Sequence, residues 1–183
     1  LLRQYPRLAV DLTAPDIRLE VEIREREGFV SWERIPGPGG LPVGISGTGL
    51  ALLSGGIDSP VACWRVMKRG CRLHFLTFHS SPYTPPETVE KIVRLVRVLN
   101  EYQIPGRLFA VNLLPFQKQV RDICQTKYRT LLYRRMMVRI GCWLADRLDA
   151  GALVTGDCLA QVASQTLRNL NVIHAAADRV ILQ

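Results

Sequence analysis

Apolar and polar residues alternate early in the chain. Leu8, Val10 and Leu12 form one such run. Ile17, Leu19, Val21 and Ile23 form another, set against Arg18, Glu20, Glu22 and Arg24. Period-two alternation predicts two or three strands within residues 7–34, in a sheet with one wet face, as antiparallel strands have. Residues 11–16, with Pro15 inside, supply one turn and Glu27-Gly28 another. A meander of about thirty-five residues builds little core alone, so residues 1–35 read as the tail of a domain that begins earlier. The opening Leu1-Leu2-Arg3, without methionine or a signal-peptide pattern, fits a piece of something longer.

Nine of the fourteen residues 36–49 are Gly or Pro. That excludes helix and central strand and predicts a linker or an ordered loop over 36–48. From Leu50 onward, strands alternate with helices, which predicts an α/β fold with a parallel sheet and helices on its faces. The strands fall at 50–53, 72–78, 108–111 and 152–155. One helix starts at Ser59, a capping residue, with Pro60 at its first position, where the missing N–H costs nothing. A second, over 87–102, gathers Val89, Ile92, Val93, Val96 and Leu99 on one face. A third, over 127–148, turns Leu131, Met137, Ile140 and Leu144 inward.

Composition narrows the class. With 48% hydrophobic and 22% charged residues over 183 positions, the chain is that of a packed protein, and no apolar run approaches the ~20 residues of a spanning helix. No membrane partner is expected. Lys and Arg number 24 against 16 Asp and Glu, a net +8, which suits polyanionic partners. The excess lies in the second half: residues 117–147 carry eight basic and two acidic side chains. Cys63, Cys71, Cys124, Cys142 and Cys158 are odd in number and include no C-x-x-C pair. They read as small buried hydrophobes in a reducing, cytoplasmic compartment.

The most specific element is Leu52-Leu53-Ser54-Gly55-Gly56-Ile57-Asp58-Ser59-Pro60. A buried strand ends, two glycines let the backbone turn, and a helix begins. Several N–H groups and the positive helix end then face one spot, which suits a phosphate. Ser54 and Ser59 can add hydroxyl donors. Asp58 would repel a phosphate unless a cation intervenes, and Mg2+ bridging Asp58 and a pyrophosphate resolves the conflict. No G-x-x-x-x-G-K-[ST] loop is present, and Gly37-Pro38-Gly39-Gly40 fails the dinucleotide fingerprint at Pro42.

Ser54-Gly55-Gly56-Ile57-Asp58-Ser59 resembles the pyrophosphate loop (PP-loop) of the N-type ATP pyrophosphatases. Three further stretches narrow the resemblance to the tRNA 4-thiouridine synthetases, tRNA sulfurtransferases of the THUMP-plus-pyrophosphatase type. They are Gly37-Pro38-Gly39-Gly40-Leu41-Pro42-Val43-Gly44, Arg134-Arg135-Met136-Met137, and the run from Thr155-Gly156-Asp157-Cys158 through Gln165-Thr166. The resemblance implies the closing strands of a THUMP RNA-binding domain at 1–35. It implies an adenine nucleotide alpha-hydrolase-like PP-loop domain at 49–183. Leu52, Leu53, Thr77 and Phe78 match adenosine-side positions; Arg134, Gly156 and Gln165 match further nucleotide contacts.

The implied chemistry uses ATP and Mg2+. ATP adenylates the C4 oxygen of the uridine at position eight of tRNA, and persulfide sulfur displaces AMP to give 4-thiouridine. The same sulfur relay can serve thiazole formation for thiamine. Implied partners are tRNA and a cysteine desulfurase or other persulfide donor, and the resemblance allows a homodimer. The sulfur-transferring cysteine of the family is expected beyond Gln183. Cys63 and Cys158 stand where a small residue is expected, and Cys158 lies close enough to the site for an active thiol. His79, past the second strand, reads as a loop histidine without a role before it reads as a contact to substrate or phosphate. The basic helix residues Lys127, Arg129, Arg134, Arg135 and Arg139 suit either RNA backbone contacts or a solvated face. Two other readings stay open: a degenerate RNA- or nucleotide-binding relative without sulfur transfer, and another PP-loop adenylating ligase.

Overall fold

A computed structural model describes residues 4–162 and 165–183. Leu1, Leu2 and Arg3, and Ala163 and Ser164 of the last motif, lie outside the described residues. The chain divides into two compact units, residues 1–39 and 40–183.

The first unit is one antiparallel hairpin of β1 (Glu20–Ile23) and β2 (Gly28–Ser31), in register Val21 to Val30. Residues 7–12 form no strand, despite their alternation. The Asp11 carboxylate instead accepts the amides of Thr13 and Ala14 at 2.8 and 3.0 Å, so local side-chain bonding replaces a ladder. The expected single wet face is also absent: Val21 and Ile23 are as exposed as Glu20 and Glu22. Two strands bury neither face by themselves.

The second unit is a three-layer α/β domain. Its strands are β3 (Thr48–Leu52), β4 (Arg72–His79), β5 (Leu108–Asn112), β6 (Ala152–Val154) and β7 (Val180–Leu182). They lie in the order β5-β4-β3-β6-β7, all parallel. The helices are α1 (Asp58–Met67), α2 (Pro86–Asn100), α3 (Leu114–Ile123), α4 (Thr126–Arg147) and α5 (Leu167–His174).

Successive strand residues point to opposite faces, and each face is apolar. Ala51, Leu53, Leu73 and Phe75 pack with Cys63 and Met67 of α1 and Ile92, Val96 and Leu99 of α2. Leu50, Leu76 and Leu153 pack with Val138, Cys142 and Ala145 of α4 and Ile173 of α5. On α4 the inward set is shifted from the expected one. Leu144 is buried and Leu131 and Ile140 border the core, while Val138 and Cys142 fill positions expected of Met137. Gly141 lies where α4 packs close to the sheet: a Cβ there would stand 3.3 Å from the Leu153 side chain, which would have to give by a few tenths of an ångström.

Residues 40–47 are an ordered loop of the second unit. Leu41 donates to the Lys68 carbonyl, and the Gly44 and Ser46 amides both donate to that of Gly70, at 2.7 and 3.0 Å. Gly70, at φ +84°, ends the turn after α1 in a conformation L side chains resist.

The sequence pattern does not predict α3, α5 or β7. Leu114-Pro115 looks like a break, yet proline sits in the first turn of α3, where its missing donor is harmless. Phe116 then packs edge-on against Tyr133 of α4, ring centroids 6.3 Å apart.

Candidate nucleotide-binding site

Strand order fixes where a ligand can enter. From β3 the chain winds one way through β4 and β5, then returns to the other side of β3 for β6 and β7. The loops leaving β3 and β6 diverge at that reversal, and open parallel sheets bind ligands in the crevice so formed. A cavity of about 360 Å3 lies there. Its walls include Leu52, Ser54, Asp58 and Ser59 from the first loop, and Thr155, Gly156, Asp157 and Gln165 from the second.

The first loop is tied down by its serines. The Ser54 amide donates to the Ser59 hydroxyl at 3.0 Å, and the two hydroxyls lie 3.0 Å apart. Ser59 is buried inside the first turn of α1, and the residue ahead of the helix, Ile57, makes no side-chain cap. The expectation of Ser59 as the helix cap is thus corrected: it lies inside the helix, and its hydroxyl fastens the loop while bordering the cavity. The amides of Asp58 and Ser59 open the helix, where no carbonyl a turn earlier is available to them. They supply the positive end that an anion needs.

Gly55 and Gly56 are not in the left-handed region, so they are not needed for a tight turn. What they leave is room. The nearest atom to a Cβ on Gly55 would be Cδ of Lys91 at 3.9 Å, and on Gly56 the Ser54 hydroxyl at 3.5 Å. Side chains there would fill the space through which a phosphate approaches the backbone. Lys91, on α2, is a cation beside this loop that periodicity assigns only to the solvent face of the helix.

Gly156 has the opposite role. A Cβ on it would lie 2.4 Å from the Ser59 nitrogen, so the β6 loop and the first turn of α1 touch backbone to backbone. Beyond it, Asp157 pairs with Arg134 of α4 and accepts from the Gln165 amide at 3.1 Å. Gln161 donates to the Asp58 carboxylate at 3.1 Å. Thr155 keeps a buried hydroxyl with no partner at the cavity wall. Sequence reasoning assigned no role to Thr155, Asp157 or Gln161; all three stand in the quoted motif, but their convergence depends on the strand order.

The remaining expected residues are distributed unevenly. Leu53 and Thr77 are buried at the ends of β3 and β4, and Phe78 packs against the α4 side of the sheet. Arg134 stands behind Asp157 and does not line the cavity. On the basic helix, Arg129 donates to the Arg121 and Cys124 carbonyls, and Arg135 donates to that of Val172. Those two guanidinium groups therefore join helices, leaving less of this face for RNA than its charge suggests. His79 accepts the Ser81 amide at 3.3 Å through Nδ1.

Burial pushes the Cys63 thiol up to about 12, so it packs and does not react. Cys158 is exposed beside the site without lining the cavity. Brief iodoacetamide treatment of the folded chain at pH 8 is expected to alkylate Cys158 and spare Cys63, read by peptide mass mapping. Equal labelling of both would contradict the packing.

The family model described as "Thiamine biosynthesis protein (ThiI)" matches residues 44–183. The chain belongs to that family. It is 45% identical over 177 residues to the "Probable tRNA sulfurtransferase" of Alkaliphilus oremlandii, covering 97% of this chain and 45% of that protein. It is 47% identical to the protein of the same name from Treponema pallidum, covering 100% and 45%. A solved structure of a 4-thiouridine synthetase–RNA complex with bound ATP superposes at TM-score 0.87 and 41% identity, over 100% of this chain and 48% of that one. PH1313 from Pyrococcus horikoshii shares the fold at TM-score 0.61 and 17% identity, over 93% and 47%. The chain thus spans a little under half the length of the two curated tRNA sulfurtransferases it matches.

Proposed function

We propose that this chain is the ATP-using part of a tRNA sulfurtransferase, and that it adenylates the C4 oxygen of the uridine at position eight of tRNA. The uridine oxygen would attack the α-phosphorus of ATP and pyrophosphate would leave. The outer sulfur of a cysteine persulfide would then displace AMP at C4, and a second thiol would break the remaining S–S bond, leaving the sulfur on C4 and forming a disulfide with the carrier cysteine. The observation that carries this reading is the cavity in which Ser54 and the first turn of α1 face Gly156 and Gln165, with the uncrowded Gly55 and Gly56 in the adjoining loop. The bound ATP and RNA of the 41% identical 4-thiouridine synthetase support it.

In this reading Gly55, Gly56 and the Asp58 and Ser59 amides receive the pyrophosphate moiety, and Leu52, Leu53, Thr77 and Phe78 border the adenosine. Arg134, Gly156 and Gln165 complete the nucleotide contacts. Among the described residues no three His, Cys, Asp or Glu side chains converge on a metal position. Magnesium is commonly held by one or two carboxylates together with substrate phosphates, and Asp58 fits that donor set. When bound, the ion would neutralise charge on the pyrophosphate. The chain's own part is orientation and exclusion of water.

The resemblance of residues 1–35 to THUMP strands supports tRNA as partner. A cysteine desulfurase or similar persulfide donor, a homodimer and a cytoplasmic location go with the same reading. The family description supports sulfur delivery to thiamine synthesis as a second use. Calorimetric titration with ATP and Mg2+ tests the reading directly. One nucleotide per chain is expected, and a blank titration would overturn it; binding without tRNA-dependent pyrophosphate release would favour a degenerate nucleotide-binding relative.

A further inference from the structure

Two of the nucleotide contacts carried above come from elements far apart in the chain. Arg134 is in the middle of α4, and Gln165 follows the loop after β6. Asp157 touches both. One carboxylate oxygen pairs with Nη2 of Arg134, and the other accepts Nε2 of Gln165 at 3.1 Å. Gln165 is fixed in turn: its Oε1 accepts the Val162 amide at 3.1 Å, its own amide donates to Val162 and its carbonyl accepts from Ala160.

The ion pair is mostly withdrawn from water, with side-chain exposures of 19% for Arg134 and 15% for Asp157. A charge so placed needs its partner, because removing one member leaves the other desolvated and free to turn toward another anion or solvent. The carboxylate also lines the cavity. Facing a triphosphate, it would repel unless a cation stood directly behind it, and Arg134 stands there. Two contacts of the site are thereby held by one side chain that itself need not touch the nucleotide.

We propose that Asp157 is a positioning residue of the nucleotide site, whose carboxylate holds Arg134 and Gln165 in the arrangement that receives ATP. This rests on the nucleotide reading given above. The test is a double-mutant cycle on the full chain, reading ATP affinity by calorimetry with Mg2+ and thermal midpoints alongside. Asp157→Asn keeps the shape and an acceptor for Gln165 but loses the charge that holds Arg134. It is expected to weaken ATP binding roughly tenfold, and Asp157→Glu to restore most of the loss. In an Arg134→Met background, Asp157→Asn should add little, because residues that act through one another are not additive.

Wild-type affinity in Asp157→Asn, or losses that multiply in the double variant, would overturn the proposal. Should Asp157→Asn fail to fold, the same cycle with Asp157→Glu and Arg134→Lys decides: independent losses overturn it, non-additive ones support it. Absence of ATP binding in the unmutated chain would instead overturn the nucleotide reading itself.

Discussion

Asp58→Asn is expected to slow pyrophosphate release from ATP in the full-length protein by on the order of a hundredfold while leaving the fold intact. The two side chains are nearly isosteric, and the new amide oxygen can still accept the Gln161 donor that reaches Asp58 at 3.1 Å. What disappears is one negative charge at the mouth of a cradle built for anions. A carboxylate there makes sense only if a cation sits between it and the phosphates, so the variant should lose magnesium-dependent affinity for ATP. Removing a single preorganised electrostatic contact from an active site costs on the order of a hundredfold in rate. AMP has no pyrophosphate and should bind the variant as it binds the parent. Calorimetry with both nucleotides and a pyrophosphate-release assay separate these effects. Unchanged release would remove the argument for a cation at Asp58. Equal loss of AMP and ATP binding would mean that the substitution has damaged the pocket instead.

Most of the domain is written in the sequence as alternation. The runs at Leu50, Arg72, Leu108 and Ala152 are wholly or largely apolar because both sheet faces are covered, and that reading fixes four of the five parallel strands. β7 escapes because three residues carry no period. Helix α3 escapes because Leu114-Pro115-Phe116 has the letters of a break, although its proline is in a tolerated place. The first unit shows the reverse failure. Leu8, Val10 and Leu12 alternate as well as the β1 run does, but the Asp11 carboxylate takes the Thr13 and Ala14 amides into a local turn instead of a ladder.

At the site, the loop's letters reveal an anion cradle, yet they mislead about its parts. Ser59 looks like a cap because it precedes Pro60, whereas its hydroxyl is turned back to hold Ser54. Gly55 and Gly56 look like turn residues, whereas their backbone asks for nothing special and their contribution is empty space. Asp157 and Thr155 could not be assigned from the chain alone. Their surroundings come from α4 and α1, which reach them only through the reversal of strand order at β3.

Gly156→Ala and Gly55→Ala should therefore separate sharply, although both change one hydrogen to a methyl beside the same cavity. At Gly156 the new carbon would meet the Ser59 nitrogen at 2.4 Å, the Ser59 Cα at 2.6 Å and the Asp58 carbonyl carbon at 2.7 Å. All three are backbone atoms of the first turn of α1, so no side chain can move aside. The helix start must shift away from β6, carrying the Asp58 and Ser59 amides with it. Overpacking of this kind costs about 1–3 kcal/mol, which lowers the thermal midpoint of a chain this size by roughly 2–12 °C. ATP affinity should fall with it, because the cradle is made of the displaced atoms. At Gly55 the nearest neighbour is a flexible lysine carbon at 3.9 Å, and φ is not in the left-handed region. The folded chain should accept that methyl with little change in midpoint, and any loss should appear in ATP binding alone. Thermal melts and ATP titrations of the two variants side by side read both quantities. A Gly156→Ala protein that melts and binds like the parent would mean that the β6 loop and α1 do not touch in solution. A Gly55→Ala protein that binds ATP unimpaired would remove the phosphate from this loop, because the space left by that glycine would then serve nothing.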